Sequence, residues 1–321
     1  MSDNKIIIGN FLKCSDEIEK GSIQTIYIDP PFKTQRRHRL TPVDDLGFND
    51  TWDSDQDYEY FVGRLLEECK PLLKEDGTLF FHISAAEMLI PHMVLKKHFK
   101  HTQPIFWKKS RSKNNIKNKP GTTIDVIFRA FNCAKPLFNV VYQPLDQYYL
   151  EHSYTNKDDV GYYALGHLTT DRTRTSKKDR CYAIKIDGRE FKPDNGWRVS
   201  KDDLKKLIAE GRVHVPKKKS GNLYRKLYRH ENLGKPVTDL WDDVHSLGQG
   251  GEKREYPTQK PVKLMERIIA MSSNEGDTIL DPVAGSGTTG IAAANLNRNY
   301  ILVDQNPDTL KIMRKRLDKK N

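Results

Sequence analysis

Asp281-Pro282-Val283-Ala284-Gly285-Ser286-Gly287-Thr288-Thr289-Gly290 is the stretch that decides how this chain folds. It follows the triplet Thr278-Ile279-Leu280 and has the spacing G-x-G-x-x-G. Glycines so placed let a backbone turn sharply and approach a ligand closely. A strand, a Gly-rich turn and a helix in succession put that turn at the carboxyl edge of a parallel sheet, where open α/β sheets bind ligands. Asp304 closes the next apolar run, about 20 residues on, where an acidic side chain commonly takes ribose hydroxyls. The turn lies so near the end of the 321 residues that one strand and one helix are all that can follow it. The rest of the sheet has to come from upstream, so the domain is circularly permuted about its cofactor loop. On the motif alone a nicotinamide enzyme competes, but a dinucleotide-binding domain needs several βα units after its fingerprint. A P-loop is poorer still, because no Gly-Lys-Ser/Thr follows.

A second turn of this kind stands far upstream. The apolar run from Ile23 to Ile28 leads directly into Asp29-Pro30-Pro31-Phe32. Two prolines fix backbone dihedrals and remove donors, which leaves carbonyl oxygens pointed outward. A carboxylate beside such a carbonyl offers two acceptors, and these suit an exocyclic amino group with two hydrogens. The aromatic ring adds a stacking face for a base taken out of its helix. An aromatic amine is a weak nucleophile because its lone pair is delocalised, and two acceptors pulling its hydrogens out of plane would localise that pair. Alone, the tetrapeptide also reads as a Pro-Pro turn with an N-capping Asp. Paired with the Gly-rich turn, it points to methyl transfer onto nucleic acid.

Between the turns the pattern alternates. Strands are expected at 5–8, 23–28, 78–83, 123–131 and 300–303, with helices at 16–20, 61–73, 88–99, 262–271 and 309–317. That alternation argues for an α/β, doubly wound and mostly parallel sheet. Residues 33–57 show no periodicity and read as one long loop, a length usually functional or mobile. From about 140 to 250 the texture changes: tyrosines cluster at 142, 148, 149, 154, 162 and 163, and apolar segments become short. An inserted module is expected there, dividing the chain into 1–140, 141–250 and 251–321. The tyrosine cluster is expected to form that module's core rather than a stacking platform.

Composition supports a nucleic-acid partner. The formal net charge is +11, and basic residues gather at 108–119, 172–180 and 212–229. A basic surface favours polyanions through counterion release without fixing sequence preference. The segment holding Lys108, Lys109, Arg111 and Lys113 is expected on DNA phosphates. The four cysteines are far apart, with no Cys-x-x-Cys pair, so neither a zinc site nor a disulfide framework is indicated. No apolar run approaches a membrane span and the first residues lack a secretory signal, so a cytosolic protein is expected.

At these motifs the chain resembles the β-class amino methyltransferases of DNA, in which the catalytic motif precedes the cofactor motif. Tyr27-Ile28-Asp29-Pro30-Pro31-Phe32 resembles the catalytic motif, and Asp281 through Thr289 the cofactor motif. Tyr256-Pro257-Thr258-Gln259-Lys260-Pro261 resembles the segment closing over the cofactor, and Ile8-Gly9-Asn10 the strand end near its adenine, where Asn10 departs from the usual Asp. The resemblance implies a Rossmann-like sheet with a target-recognition insert and catalysis by Asp29, Pro30, Pro31 and Phe32. It implies S-adenosylmethionine held by Gly9, Asn10, Thr258, Lys260, Pro261, Asp281, Pro282, Gly285, Ser286, Gly287, Thr288, Thr289 and Asp304. It further implies base flipping in double-stranded DNA and direct in-line transfer to adenine N6, because an initial Asp usually accompanies adenine and an initial Ser cytosine N4. Cytosine N4 would fit the same acceptors. A cognate restriction endonuclease and a homodimer accompany many members of this family, which come from bacteria, archaea and phages. The rivals are a methyltransferase for RNA or a protein glutamine, which usually places its cofactor motif first, and a non-catalytic DNA-binding modification subunit.

Overall fold

Ile23 to Ile28 are buried without exception, the mark of a strand covered on both faces. This strand is central to a sheet built from β1 (Lys5–Ile8), β2 (Ile23–Ile28), β3 (Leu73–Ser84), β4 (His101–Lys108), β5 (Ile124–Phe131), β6 (Leu240–Trp241), β7 (Thr278–Asp281) and β8 (Asn299–Asp304). The computed structural model describes residues 4–33, 35–39, 47–110, 120–170, 178–218, 221–247, 256 and 258–318. The strand order is β1-β8-β7-β2-β3-β5-β4-β6. Only β5 runs against its neighbours, pairing antiparallel with both β3 and β4, so the sheet is mostly parallel. β7, from the carboxyl end of the chain, pairs with β2 through Leu280 and Ile26. That pairing brings the two remote turns to adjacent strand ends.

Alternation along the strands sends side chains into two cores. Ile26, Ile28, Phe81 and Ile83 pack with Val62, Leu65 and Leu66 of α1 (Asp55–Cys69) and Leu95 of α2 (Leu89–His98). Tyr27, Phe80 and Ile127 face the other way, toward Leu264 and Ile268 of α3 (Val262–Ser272). Full burial of each such aliphatic side chain contributes roughly 1.5–3 kcal/mol, so both layers are well supported. α1 begins where Ser54 accepts a hydrogen bond from the Asp57 N–H at 3.1 Å, a side-chain cap. α4 (Thr288–Asn295) and α5 (Pro307–Asp318) follow β7 and β8 in the sequence and complete the helices of the main sheet.

Several elements differ from expectation. The strand β4 lacks a legible pattern because Pro104 interrupts it. Its partner β6 pairs only at Phe106 and Trp107, so the missing Pro104 donor breaks no bond there. The brief helix expected at 16–20 lies earlier, as Phe11–Cys14 followed by a 3-10 turn at Ser15–Glu17. Within the expected loop 33–57, Arg36–Arg39 pairs antiparallel with Gly47–Asp50.

Two compact units divide the chain, one of residues 1–141 with 236–321, the other of 142–235. The smaller unit therefore ends short of residue 250. Arg267 of α3 grips Asp243 and stacks on Trp241, 5.2 Å from its centroid, which ties the segment after 235 to the main sheet. The smaller unit holds a four-stranded antiparallel sheet, a hairpin and the helix Lys201–Ala209. Trp197, Leu204 and Leu223 form its centre. Its tyrosines split: Tyr154 and Tyr163 are buried, while Tyr148, Tyr149 and Tyr162 are exposed.

Candidate active site

The carboxyl ends of β1, β2, β7 and β8 surround a cavity of about 400 Å³, within the usual range for small-ligand sites. Gly9, Asn10, Asp29, Pro30, Pro31 and Phe32 line one side; Thr258, Lys260, Asp281, Pro282, Gly285, Ser286, Thr288, Thr289 and Asp304 line the other. The two turns, about 250 residues apart in sequence, thus share one cavity. Pro261 and Gly287 are not among the lining residues: Pro261 is buried at the start of α3, and Gly287 caps α4. The Asn10 side chain accepts from the Leu12 N–H at 3.0 Å, so it caps a short helix at the cavity edge.

The Gly-rich turn is held from every direction. Gly287 has φ of +72°, and an added Cβ would stand 2.9 Å from Met313 Cγ, so a side chain is excluded by both conformation and space. Gly285 N–H donates to Asp304 Oδ2 at 2.7 Å, and Asn306 N–H to the same carboxylate's Oδ1 at 2.8 Å. Thr289 donates to Asp281 Oδ2 at 2.5 Å. From α5 the buried Arg316 donates to the Ser286 carbonyl at 2.8 Å and the Thr288 hydroxyl at 3.0 Å. Burial raises the Asp304 carboxyl above the usual range. Burial also pushes Asp281 up to about 7, against the hydrogen bond from Thr289.

The Pro-Pro turn is arranged differently. Tyr58 donates its hydroxyl to the Pro31 carbonyl at 3.1 Å, and the Lys33 N–H donates to Asp50 at 2.6 Å, which together fix the exit of the turn. Asp29 pairs through Oδ2 with the ammonium of Lys260. That ammonium also lies 5.1 Å from the centre of the Phe32 ring. Lys260, expected to hold the cofactor, therefore touches both the acid and the ring of the other turn. Asp29 Oδ1 is buried and has no hydrogen-bond partner among the described residues. Buried acceptors are nearly always satisfied, so an unsatisfied one on a side chain that lines the cavity marks a place for an incoming donor.

Behind this turn lies a polar chain that the motifs do not reveal. Tyr27 Oη and His82 Nδ1 are 2.7 Å apart, His82 Nε2 and Asp125 Oδ2 3.3 Å apart, and Lys109 Nζ donates to Asp125 Oδ1 at 2.6 Å. His82 is wholly buried, and burial together with the Lys260 charge lowers its basicity. Burial works against ionised Asp125, yet the His82 hydrogen bond and the Lys109 ammonium hold its carboxyl at about 2. Burial, with the negative charge of Asp29 next, raises the Tyr27 hydroxyl far above its ordinary range. The available signal was a polar residue inside each apolar strand, His82 after Phe80-Phe81 and Asp125 before Val126-Ile127.

The basic residues expected on DNA part company. Lys108 is exposed, whereas Lys109 is committed to Asp125. Arg111 and Lys113 lie outside the described residues. In the basic run from 212, Arg212 pairs with Glu231 and Lys226 with Asp158, which leaves less free charge than composition suggests.

A family model described as DNA methylase matches residues 23–315. The chain belongs to this family. It is a DNA methyltransferase, and DNA is its substrate. The type II methyltransferase M.EcaI of Enterobacter cloacae is 27% identical, over 98% of this chain and 68% of its own length. The DNA adenine methyltransferase YhdJ of Escherichia coli K12 is 24% identical, over 98% of this chain and 82% of its own. Among solved structures, M1.HpyAVI in its complex with S-adenosylmethionine superposes with a TM-score of 0.50 at 18% identity, covering 98% of both chains. The cytosine-N4-specific PvuII methyltransferase superposes with a TM-score of 0.55 at 14% identity, covering 98% of this chain and 86% of that one. These two show the shared fold. Among the described residues of this methyltransferase no helix is long and apolar enough to cross a membrane.

Proposed function

We propose that this methyltransferase acts at specific sites in double-stranded DNA and methylates N6 of adenine, with S-adenosylmethionine as donor. One observation carries the reading: Asp29, whose Oδ1 has no partner among the described residues, and Phe32 line the same cavity as the Gly-rich turn. The donor fits the residues present. Gly285 lines the cavity with a φ of +51° and no side chain, which lets a ligand approach the main chain there, and Asp304 and Asn306 offer polar atoms at the rim. Gly9, Gly285, Ser286 and Asp304 would hold the donor, with Thr258 and Pro261 supporting the wall. When bound, S-adenosylmethionine supplies a sulfonium methyl already activated for attack.

This chain supplies position and acceptors. A base leaving the duplex stacks on Phe32, and its amino group donates to Asp29 Oδ1 and the Pro30 carbonyl. Lys260 holds the other carboxylate oxygen and so leaves Oδ1 for the amino group. The same acceptor is then first in line for the proton released as the nitrogen takes the methyl. Positioning of this kind accounts for much of such a rate.

The test is Asp29→Ala. Loss of proton acceptance lowers the methylation rate by about 100-fold or more, while cofactor affinity by calorimetry stays within a few-fold. Methylation near the parent rate overturns the role. Sequencing of DNA with modified-base detection, from cells with and without the protein, distinguishes N6-methyladenine from N4-methylcytosine and returns the target site. YhdJ, named as an adenine enzyme, supports the first, as does the initial Asp of the catalytic turn. Residues 142–235 are assigned to target reading, and Lys108, Arg111 and Lys113 to phosphates. A cognate restriction endonuclease, a homodimer and a cytoplasmic location accompany this reading; sedimentation at working concentration tests the dimer.

A further inference from the structure

We infer that His82 is a positioning residue: Tyr27 and Asp125 hold it as the neutral Nε2–H tautomer, which keeps its donor away from Asp29 and preserves Oδ1 as the open acceptor for the base. The inference rests on the reading of Asp29 given above. His82 Nδ1 stands only 3.9 Å from Asp29 Oδ1, close enough to bond after a small shift. Which ring nitrogen carries the proton therefore decides whether that oxygen is free.

The surroundings constrain the choice. Asp125 is paired with the Lys109 ammonium and remains a carboxylate, so it can only accept, and Nε2 must donate to it. Nδ1 then has a lone pair, and the Tyr27 hydroxyl, 2.7 Å away, donates into it. With Nδ1 occupied as an acceptor, nothing on the ring can donate to Asp29. The charged and titratable groups facing the ring are Asp29, Lys260, Asp125, Lys109 and Tyr27. Apolar packing completes the enclosure, with Trp107 edge-on and Phe32 tilted, each with its centroid 5.6 Å from the imidazole. A protonated His82 would carry a second N–H at Nδ1, turn it toward Asp29 Oδ1, and close the acceptor that the amino group needs.

The experiment needs no substitution at its first step. In protein with 15N-labelled histidine, the His82 resonances, assigned by their absence from His82→Gln, should show Nδ1 bare and Nε2 protonated across neutral pH. A protonated Nδ1 at neutral pH overturns the inference. Tyr27→Phe then removes the donor into Nδ1 and makes the ring easier to protonate. The acid limb of its methylation profile should move up by about one pH unit, the shift expected when one hydrogen bond to the neutral ring is lost. kcat recovers in alkali, and the KM for S-adenosylmethionine is unchanged. A simple structural defect would lower the rate equally at every pH, and that flat loss also counts against the inference. Asp29→Asn separates the two readings. If it stays active, the assigned role of Asp29 fails whatever the imidazole does. If it is inactive while the Tyr27→Phe profile does not move, only the role of His82 fails.

Discussion

The two turns that meet in the cavity are built on opposite principles. Around the Gly-rich turn, Asp281, Ser286, Thr288, Thr289 and Asp304 are each hydrogen-bonded within the protein, and Arg316 braces the loop from behind. Around the Pro-Pro turn, one carboxylate oxygen is buried with no partner among the described residues. A loop that cradles a ligand gains from rigidity, because less ordering remains to be done on binding. A group that takes part in chemistry gains from unsatisfied capacity held in place. Satisfied polar groups on one strand end and an open one on the neighbouring end match the binding role and the reacting role proposed for the two turns.

Substitutions can break either side of that comparison. After Asp29→Ala, the largest effect falls on Gly287→Ala. The left-handed backbone costs about 1–3 kcal/mol for a residue with a side chain, and the 2.9 Å approach to Met313 adds to it. Thermal unfolding should show clear destabilisation, and cofactor affinity should drop. An unchanged melting temperature would mean that the turn is looser than its φ implies. Arg316→Met comes next. Removing a buried donor that serves Ser286 and Thr288 costs about 1–3 kcal/mol and should raise the KM for S-adenosylmethionine while leaving kcat at saturation close to the parent. A fall in kcat with KM unchanged would assign Arg316 to the reacting side instead.

Titration sharpens the comparison further. The Asp281 carboxyl sits at about 7 in the fold, above its ordinary 3.8, so folding favours its protonated form. The stability this gives is fully present in acid and lost as pH rises from about 4 through about 7. Asp281→Asn lacks that slope. Its melting temperature relative to the parent should therefore improve steadily across this window, and a constant difference would refute the assignment. Asp125 has the reverse sign. Held at about 2, it stabilises the fold above its unfolded value and loses that contribution as pH falls toward 2. The smallest effect belongs to Lys108→Ala, which should reduce the salt dependence of DNA binding by about one unit of slope and leave cofactor affinity unchanged. If the slope stays the same, this lysine does not touch a phosphate.

The large unit was far more legible than the small one. Ile23–Ile28 announced itself by apolar content, and Gly285, Gly287, Pro30 and Pro31 by backbone chemistry that acts locally wherever they occur. β4 was hidden because Pro104 contradicts the usual strand signal. The segment after 235 read as part of the insert because two strand residues, Leu240 and Trp241, carry no periodicity; their pairing with Phe106 and Trp107, with the Arg267 contacts to Asp243 and Trp241, returns it to the main sheet. The tyrosines of the insert looked alike in sequence, yet Tyr154 and Tyr163 are buried and Tyr148 is exposed. Lys109 looked like any other member of a basic run until Asp125 claimed it.

Taken alone, the sequence determined the permuted order of the motifs, the two turns and the chemical type of each, because glycine spacing and paired prolines constrain the chain within a few residues. Only the tertiary structure decided that Lys260 holds Asp29 and that Tyr27, His82, Asp125 and Lys109 form one chain behind it. Those contacts depend on strand register. β3 lies between β2 and an antiparallel β5, with His82 opposite Ile127 and Ser84 opposite Asp125. A shift of one residue would turn each of these side chains to the other face, and nothing local to any one of them specifies that pairing.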